Sequence, residues 1–119
     1  MTAARAAGTT TTGRQQKYGN KKTEFNGIKF ASMAEAKRYY ILTIRQSIGE
    51  IGGLELQPRY PIVVSGVKVC TYVADFRYVD AKTGETVVED VKGMKTPVYS
   101  LKRKLMKAVH GIDIVEITR

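Results

Sequence analysis

The stretch from Val67 to Lys92, VKVCTYVADFRYVDAKTGETVVEDVK, limits what this chain can fold into more than any other. A long run rich in β-branched and aromatic residues, Val67 to Val79, meets the polar turn segment DAKTGE and then a second run, Thr86 to Lys92. Two such runs joined by turn chemistry predict neighbouring antiparallel strands. The second run closes as VVEDVKG at Gly93, so valines give way to two acids and a lysine. Side chains alternate faces along a strand. Val88, Asp90 and Lys92 therefore share one face, and Val87, Glu89 and Val91 the other. If Val79 lies opposite Thr86, the register also sets Asp75 opposite Asp90 on the same face. An acid in the middle of an apolar strand needs a partner if it is buried, and Arg77, two residues on, is one candidate.

The rest of the chain frames this pair. Residues 1 to 16, MTAARAAGTTTTGRQQ, are small, polar and aperiodic and read as a disordered basic arm; residues 17 to 119 read as one domain with a single modest core. Arg5, Arg14 and Lys17 are placed to touch phosphate without specificity. Thr23-Glu24-Phe25 and Ile28-Lys29-Phe30 flank Asn26-Gly27, a strong hairpin signal because both turn residues tolerate positive φ. Ser32 with Glu35 matches a capping box, and Ala34, Ala36, Tyr40, Ile41, Ile44 and Ile48 continue with helical spacing until Gly49 and Gly52-Gly53. Tyr60 to Val64 predicts a strand that turns at Ser65-Gly66. Thr96-Pro97 opens a second helix with Val98, Leu101, Leu105 and Val109 as its apolar stripe, closed by Gly111. A last strand is expected over Ile112 to Ile117. The order is an N-terminal hairpin, helix, three strands, helix and strand, an α/β arrangement with a crossover to the final strand.

Charge separates the functional classes. Twenty Lys and Arg against eleven Asp and Glu leave a net charge of +9, which favours a polyanionic partner, most often nucleic acid. Lys95, Lys102, Arg103, Lys104 and Lys107 form an acid-free basic stretch around the second helix. They are expected to contact phosphate, with a solvated face as the plainer alternative. Tyr99 lies one turn from Lys102 and either flanks the DNA backbone or packs in the core. The single cysteine, Cys70, and single histidine, His110, disfavour disulfides, thiolate zinc sites and His-pair chemistry. Cys70 reads as a core residue and His110 as complementing a helix dipole. No apolar run is long enough to span a bilayer and no secretory h-region is visible, so a soluble cytoplasmic protein is expected.

Two carboxylates with a main-chain carbonyl, such as that of Val91, suit Mg²⁺, which prefers oxygen ligands and keeps several waters. A cation at Asp75 and Asp90 would neutralise a scissile phosphate and acidify a water, while Lys92 would stabilise charge on the phosphoryl oxygens. A surface ion pair explains Asp90 and Lys92 more plainly, and a cap explains Glu35. Glu89, on the other face, reads as structural or solvated.

In the order Ser32-Met33-Ala34-Glu35-Ala36, Ala74-Asp75-Phe76 and Glu89-Asp90-Val91-Lys92-Gly93, the chain resembles the PD-(D/E)XK nuclease superfamily. It is most similar to a small phage and prophage family with the motifs K-Y-G-N-K (Lys17 to Lys21), S-x-x-E-A, L-Q-P (Leu56 to Pro58), A-D-F, E-D-V-K-G and V-Y-x-L-K-x-K-L (Val98 to Leu105). The resemblance covers residues 17 to 117. L-Q-P followed by A-D is also similar to the catalytic domain of the heteromeric-transposase endonuclease subunit.

The resemblance implies a restriction-endonuclease-like αβββαβ core, as in archaeal Holliday-junction resolvases. It further implies Asp75 and Asp90 as ligands for Mg²⁺ (Mn²⁺ substituting), Lys92 as the catalytic lysine and Glu35 as a helix-borne acid. Gln57 stands where the transposase-like relatives keep a glutamine, with no role assigned to it. The name-giving Pro-Asp is Ala74-Asp75 here. The function implied is a metal-dependent DNA endonuclease leaving 5′-phosphate ends, in a bacterial host cell if phage-encoded. A domain this small has little room to read bases, which argues for a shape-selective enzyme on branched DNA such as a Holliday junction. Two symmetric cuts would then require a homodimer. The alternatives are a nicking or recombination nuclease without junction preference, a non-catalytic DNA-binding protein on a nuclease scaffold, and an RNA-binding module that would leave the acids unexplained.

Overall fold

A computed structural model describes residues 23–119, which fall into two compact units divided between Tyr39 and Tyr40. The arm over residues 1–16 and the K-Y-G-N-K motif lie outside the described residues.

In the first unit, β1 (Thr23–Phe25) and β2 (Ile28–Phe30) form an antiparallel hairpin whose turn, Asn26 (φ 53°) and Gly27 (φ 77°), adopts the left-handed conformation that Asn-Gly favours. Phe25 and Phe30 pack on Tyr39, with ring centroids at 6.0 and 5.2 Å. Helix α1 (Met33–Ser47) starts where expected: Ser32 Oγ accepts from the Glu35 amide at 3.2 Å.

The second unit holds the C-terminal part of α1 and then β3 (Ile51–Leu56), β4 (Arg59–Val64), β5 (Val67–Val73), β6 (Phe76–Asp80), β7 (Thr86–Lys92), α2 (Pro97–Leu105), a π-helical turn and β8 (Val115–Thr118). A four-stranded sheet runs β3-β6-β7-β8, antiparallel except for the parallel pair β7 and β8. Strands β4 and β5 pair separately as a hairpin. No helix among the described residues is long and apolar enough to cross a membrane.

Four expectations change. Ile51–Leu56 is a strand, although Gly52-Gly53 reads as a helix terminator. The register shifts between Gly52 and Glu55, Gly53 takes φ 64°, and the Gln46 side chain accepts from the Leu54 amide at 2.8 Å, so the glycines serve an irregular strand. The single long strand Val67 to Val79 is two strands, broken at Ala74-Asp75 where the chain leaves the hairpin for the main sheet.

The last strand is Val115–Thr118, because Ile112 and Ile114 serve the core ahead of it. The apolar stripe of α2 is also turned. Val98 is 63% and Leu101 58% exposed, with Val109 exposed as well, while Tyr99 and Met106 are buried with Ile62, Tyr72, Ala74, Val88 and Ile114. Cys70 and Leu105 pack against this cluster. In α1, Leu42 is fully buried, whereas Tyr40, Ile41, Ile44 and Ile48 are exposed.

Thr96 caps α2, accepting from the Tyr99 amide at 3.1 Å, with Pro97 at the first helical position. A π-helical turn, Met106–His110, follows and ends at Gly111 with φ 70°. His110 does more than sit at a helix end: its Nε2 donates to the Pro61 carbonyl at 2.8 Å.

Candidate active site

The DAKTGE turn joins β6 and β7 as neighbouring antiparallel strands, as expected, and their register runs Val79↔Thr86 through Phe76↔Glu89. Just beyond the last pair, the chain fastens Asp75 through its backbone and its side chain. Its amide donates to the Glu89 carbonyl at 3.1 Å, and its carbonyl accepts from the Gln57 amide at 2.9 Å. Its Oδ2 accepts from the Val91 amide at 2.7 Å. Ala74 is held likewise, its amide donating to the Pro58 carbonyl at 3.1 Å. Gln57 thus acts through its backbone, in a left-handed conformation at φ 51°, and clamps the break that frees Asp75 from the ladder. Arg77 does not serve Asp75. It pairs with Glu55, its neighbour across β3 and β6.

Asp90 is 2% exposed on the strand face that also carries Val88, and its Oδ2 is buried with no hydrogen-bond partner. Lys92 Nζ stands 3.9 Å from that oxygen, an ion pair too long for a hydrogen bond. Burial raises the Asp90 carboxyl to about 6, against Lys92 and the Asp75 amide, which lower it, while Glu116 adds to the rise. The Asp75 carboxyl is raised in the same direction by burial, opposed by the Val91 amide, Lys92 and Arg119.

Among the described residues no three His, Cys, Asp or Glu side chains form a metal-binding group. The donors gathered here are two carboxylates, and the Val91 carbonyl leaves its strand on the same edge as the amide that reaches Asp75. An all-oxygen set with one buried, unsatisfied carboxylate oxygen fits Mg²⁺, which is commonly held by one or two carboxylates beside waters and substrate phosphate. Glu35 lies in the first turn of α1, in the first unit, with its amide on the Ser32 cap.

The basic stretch divides. Tyr99 takes the core position of the two open to it: it is 7% exposed and its hydroxyl donates to Glu116 Oε2 at 2.8 Å. Lys95 Nζ meets Glu116 Oε1 at 2.8 Å, Arg103 approaches Oε2 at 3.5 Å, and Lys107 pairs with Asp113 at 2.8 Å. Lys95, Tyr99 and Arg103 together hold Glu116 below the usual carboxylate range. Ser100, Arg103, Lys104, Lys107, Asp113 and Ile114 line an open cleft of about 410 Å³. Lys102 is half-buried and Lys104 exposed.

Three features escape a reading of the strand motifs alone. Glu116 is the parallel neighbour of Asp90 across β7 and β8. Arg119 lies over Gly93, where an added Cβ would meet its side-chain Cδ at 2.9 Å. Glu89 is 1% exposed and accepts from the Tyr78 hydroxyl, so it is structural rather than solvated. Arg45 of α1 stands 5.7 Å over the Tyr78 ring.

The fold and site together define a mixed α/β protein whose central sheet presents a paired carboxylate and a lysine at one strand end. Over residues 15–115 the chain matches the model of the family described as "Protein of unknown function (DUF1064)", and it belongs to that family. No curated protein and no solved structure matches it.

Proposed function

We propose that this protein is a Mg²⁺-dependent DNA endonuclease of the PD-(D/E)XK type. The observation that carries the reading is the meeting of Asp75, the buried and unsatisfied Asp90 and Lys92 at one end of the β6–β7 pair. A buried carboxylate oxygen without a hydrogen bond is costly, and such groups cluster where chemistry is done. The order α1, β3, β6, β7, α2, β8 supports a restriction-endonuclease-like αβββαβ core, with β4 and β5 inserted as a hairpin.

Asp75, Asp90 and the Val91 carbonyl would hold Mg²⁺, or Mn²⁺ in its place; the cation would supply charge neutralisation at the scissile phosphate and acidify the attacking water. Lys92 places its ammonium beside the carboxylate pair, where it stabilises negative charge gathering on the phosphoryl oxygens. Lys102 and Lys104, with Arg103, Lys95 and Lys107, supply backbone contacts that position DNA without reading its sequence. The product implied is a 5′-phosphate end.

Branched DNA is the proposed substrate, a Holliday junction in its sharpest form, within phage recombination or replication. Two symmetric cuts across a four-way junction call for a twofold homodimer. The test is a labelled four-way junction, a matched linear duplex and a single strand, each incubated with Mg²⁺ or with EDTA. Paired, metal-dependent cuts in the junction alone support a resolvase. Equal cutting of all three removes the junction preference and keeps the nuclease. Binding without cleavage in Mg²⁺ and in Mn²⁺ replaces the reading with a non-catalytic DNA-binding protein.

A further inference from the structure

Lys92 ends in a compact charge on a flexible four-carbon stem, so something must hold it if it is to act at one point. Its ion pair with Asp90 spans 3.9 Å, too long to fix direction. Its other contact is better defined: Nζ lies 4.3 Å from the centroid of the Tyr99 ring, within the range in which the negative face of an aromatic ring attracts a cation.

The ring itself is fixed from three sides. The Tyr99 amide is tied to the Thr96 cap at 3.1 Å. Its ring packs in the buried cluster, 6.5 Å from that of Tyr72. Its hydroxyl donates to Glu116 Oε2 at 2.8 Å. Glu116 is held in turn by Lys95 and Arg103 and lies opposite Asp90 in the β7–β8 register. The path from Asp90 through Lys92, Tyr99 and Glu116 therefore closes on the strand pair from which it starts. Donating to a carboxylate also enriches the phenol in electrons, which strengthens its hold on the ammonium.

We propose that Tyr99, pinned by Glu116, is the positioning residue that aims the Lys92 ammonium at the Asp75–Asp90 carboxylates. The proposal rests on the nuclease reading of Lys92 only for its catalytic consequence. The aim itself is a property of the DNA-free protein.

The experiment uses the full chain with isotope-labelled lysine, the Lys92 signal being assigned by its loss in Lys92→Arg. Ring current from Tyr99 is expected to move the Lys92 Hε protons upfield of the other lysines. Tyr99→Phe keeps the ring and most of the displacement, and Tyr99→Leu abolishes it. Glu116→Ala, which leaves the buried ring in place, diminishes it and provides a readout if Tyr99→Leu does not fold. In cleavage, Tyr99→Leu is expected to lower kcat by about a hundredfold, the cost of misplacing a group by roughly an ångström, with KM within about twofold.

An ordinary lysine shift for Lys92 in the wild type, or an unchanged shift in Tyr99→Leu, overturns the proposal. An undiminished shift in Glu116→Ala overturns the part given to Glu116. A displaced Lys92 signal in a protein that cleaves no DNA upholds the brace and overturns the nuclease reading.

Discussion

The Val91 amide donates to Oδ2 of Asp75 at 2.7 Å, so the residue between Asp90 and Lys92 fastens the acid of the neighbouring strand. Asp75 is thus both a support for the strand end and a member of the proposed centre. Asp75→Ala should lower unfolding free energy by about 1.5–3 kcal/mol, the usual loss for a hydrogen bond to a charged group. Asp75→Asn, which keeps an acceptor oxygen, should cost less than half of that while abolishing cleavage. Urea unfolding of both variants beside a cleavage assay separates the two roles.

Burial makes stability depend on pH. The Asp90 carboxyl has an ordinary value of 3.8 and rises to about 6 in the folded chain, so between these values the native state binds more protons than the unfolded one. The contribution of Asp90 to stability should therefore be greatest below about pH 4, fall as pH rises towards 6, and level off above it, whereas the lowered Glu116 carboxyl contributes in the opposite direction. The loss is roughly 3 kcal/mol at about 1.4 kcal/mol per unit. Asp75, shifted in the same direction, adds to it. Asp90→Asn should flatten most of this slope and stabilise the metal-free protein at pH 7, read from urea midpoints across pH 4 to 8.

Glu89 occupies the opposite face of the same strand, buried, with the Tyr78 hydroxyl on its carboxylate. Tyr78→Phe removes that partner from a buried polar side chain and should destabilise the chain by about 1–3 kcal/mol, without changing the metal dependence of cleavage. Thermal unfolding and a Mg²⁺ titration of activity check the two halves.

Around α2, Lys95 and Arg103 are engaged by Glu116, and Lys107 by Asp113. Lys102 and Lys104 are expected to meet phosphates of their own. The double variant Lys102→Ala/Lys104→Ala should weaken DNA binding about equally for unrelated sequences. It should also reduce the slope of log Kd against log salt by about two, near one for each phosphate that a lysine neutralises. Fluorescence anisotropy over a salt series measures both.

How much of this was legible in the sequence varies with the range of the force involved. Local chemistry read true: Asn26-Gly27 makes its turn, Ser32 and Thr96 cap their helices, and DAKTGE joins two paired antiparallel strands. Long-range packing did not. The helical spacing of Val98, Leu101 and Val109 marks an apolar stripe, but the core takes Tyr99 and Met106, because the tyrosine can bury its ring and still satisfy its hydroxyl on Glu116.

The strand break at Ala74-Asp75 depends on backbone bonds to Gln57 and Pro58, far back in the chain, and leaves no local mark. Asp75, Asp90 and Lys92 could be found because strand alternation and one turn bring them together. Glu116 reaches Asp90 only through the parallel crossover after α2, which no short motif encodes.

Cleavage of supercoiled plasmid in Mg²⁺ by the wild type beside Asp75→Asn, Asp90→Asn and Lys92→Ala tests the central claim most directly. Nicking or linearisation by the wild type, stopped by EDTA and reduced at least about a thousandfold in each folded variant, is the predicted result. Cleavage that persists in all three variants, or a wild type that leaves plasmid and four-way junction intact in both Mg²⁺ and Mn²⁺, would contradict it.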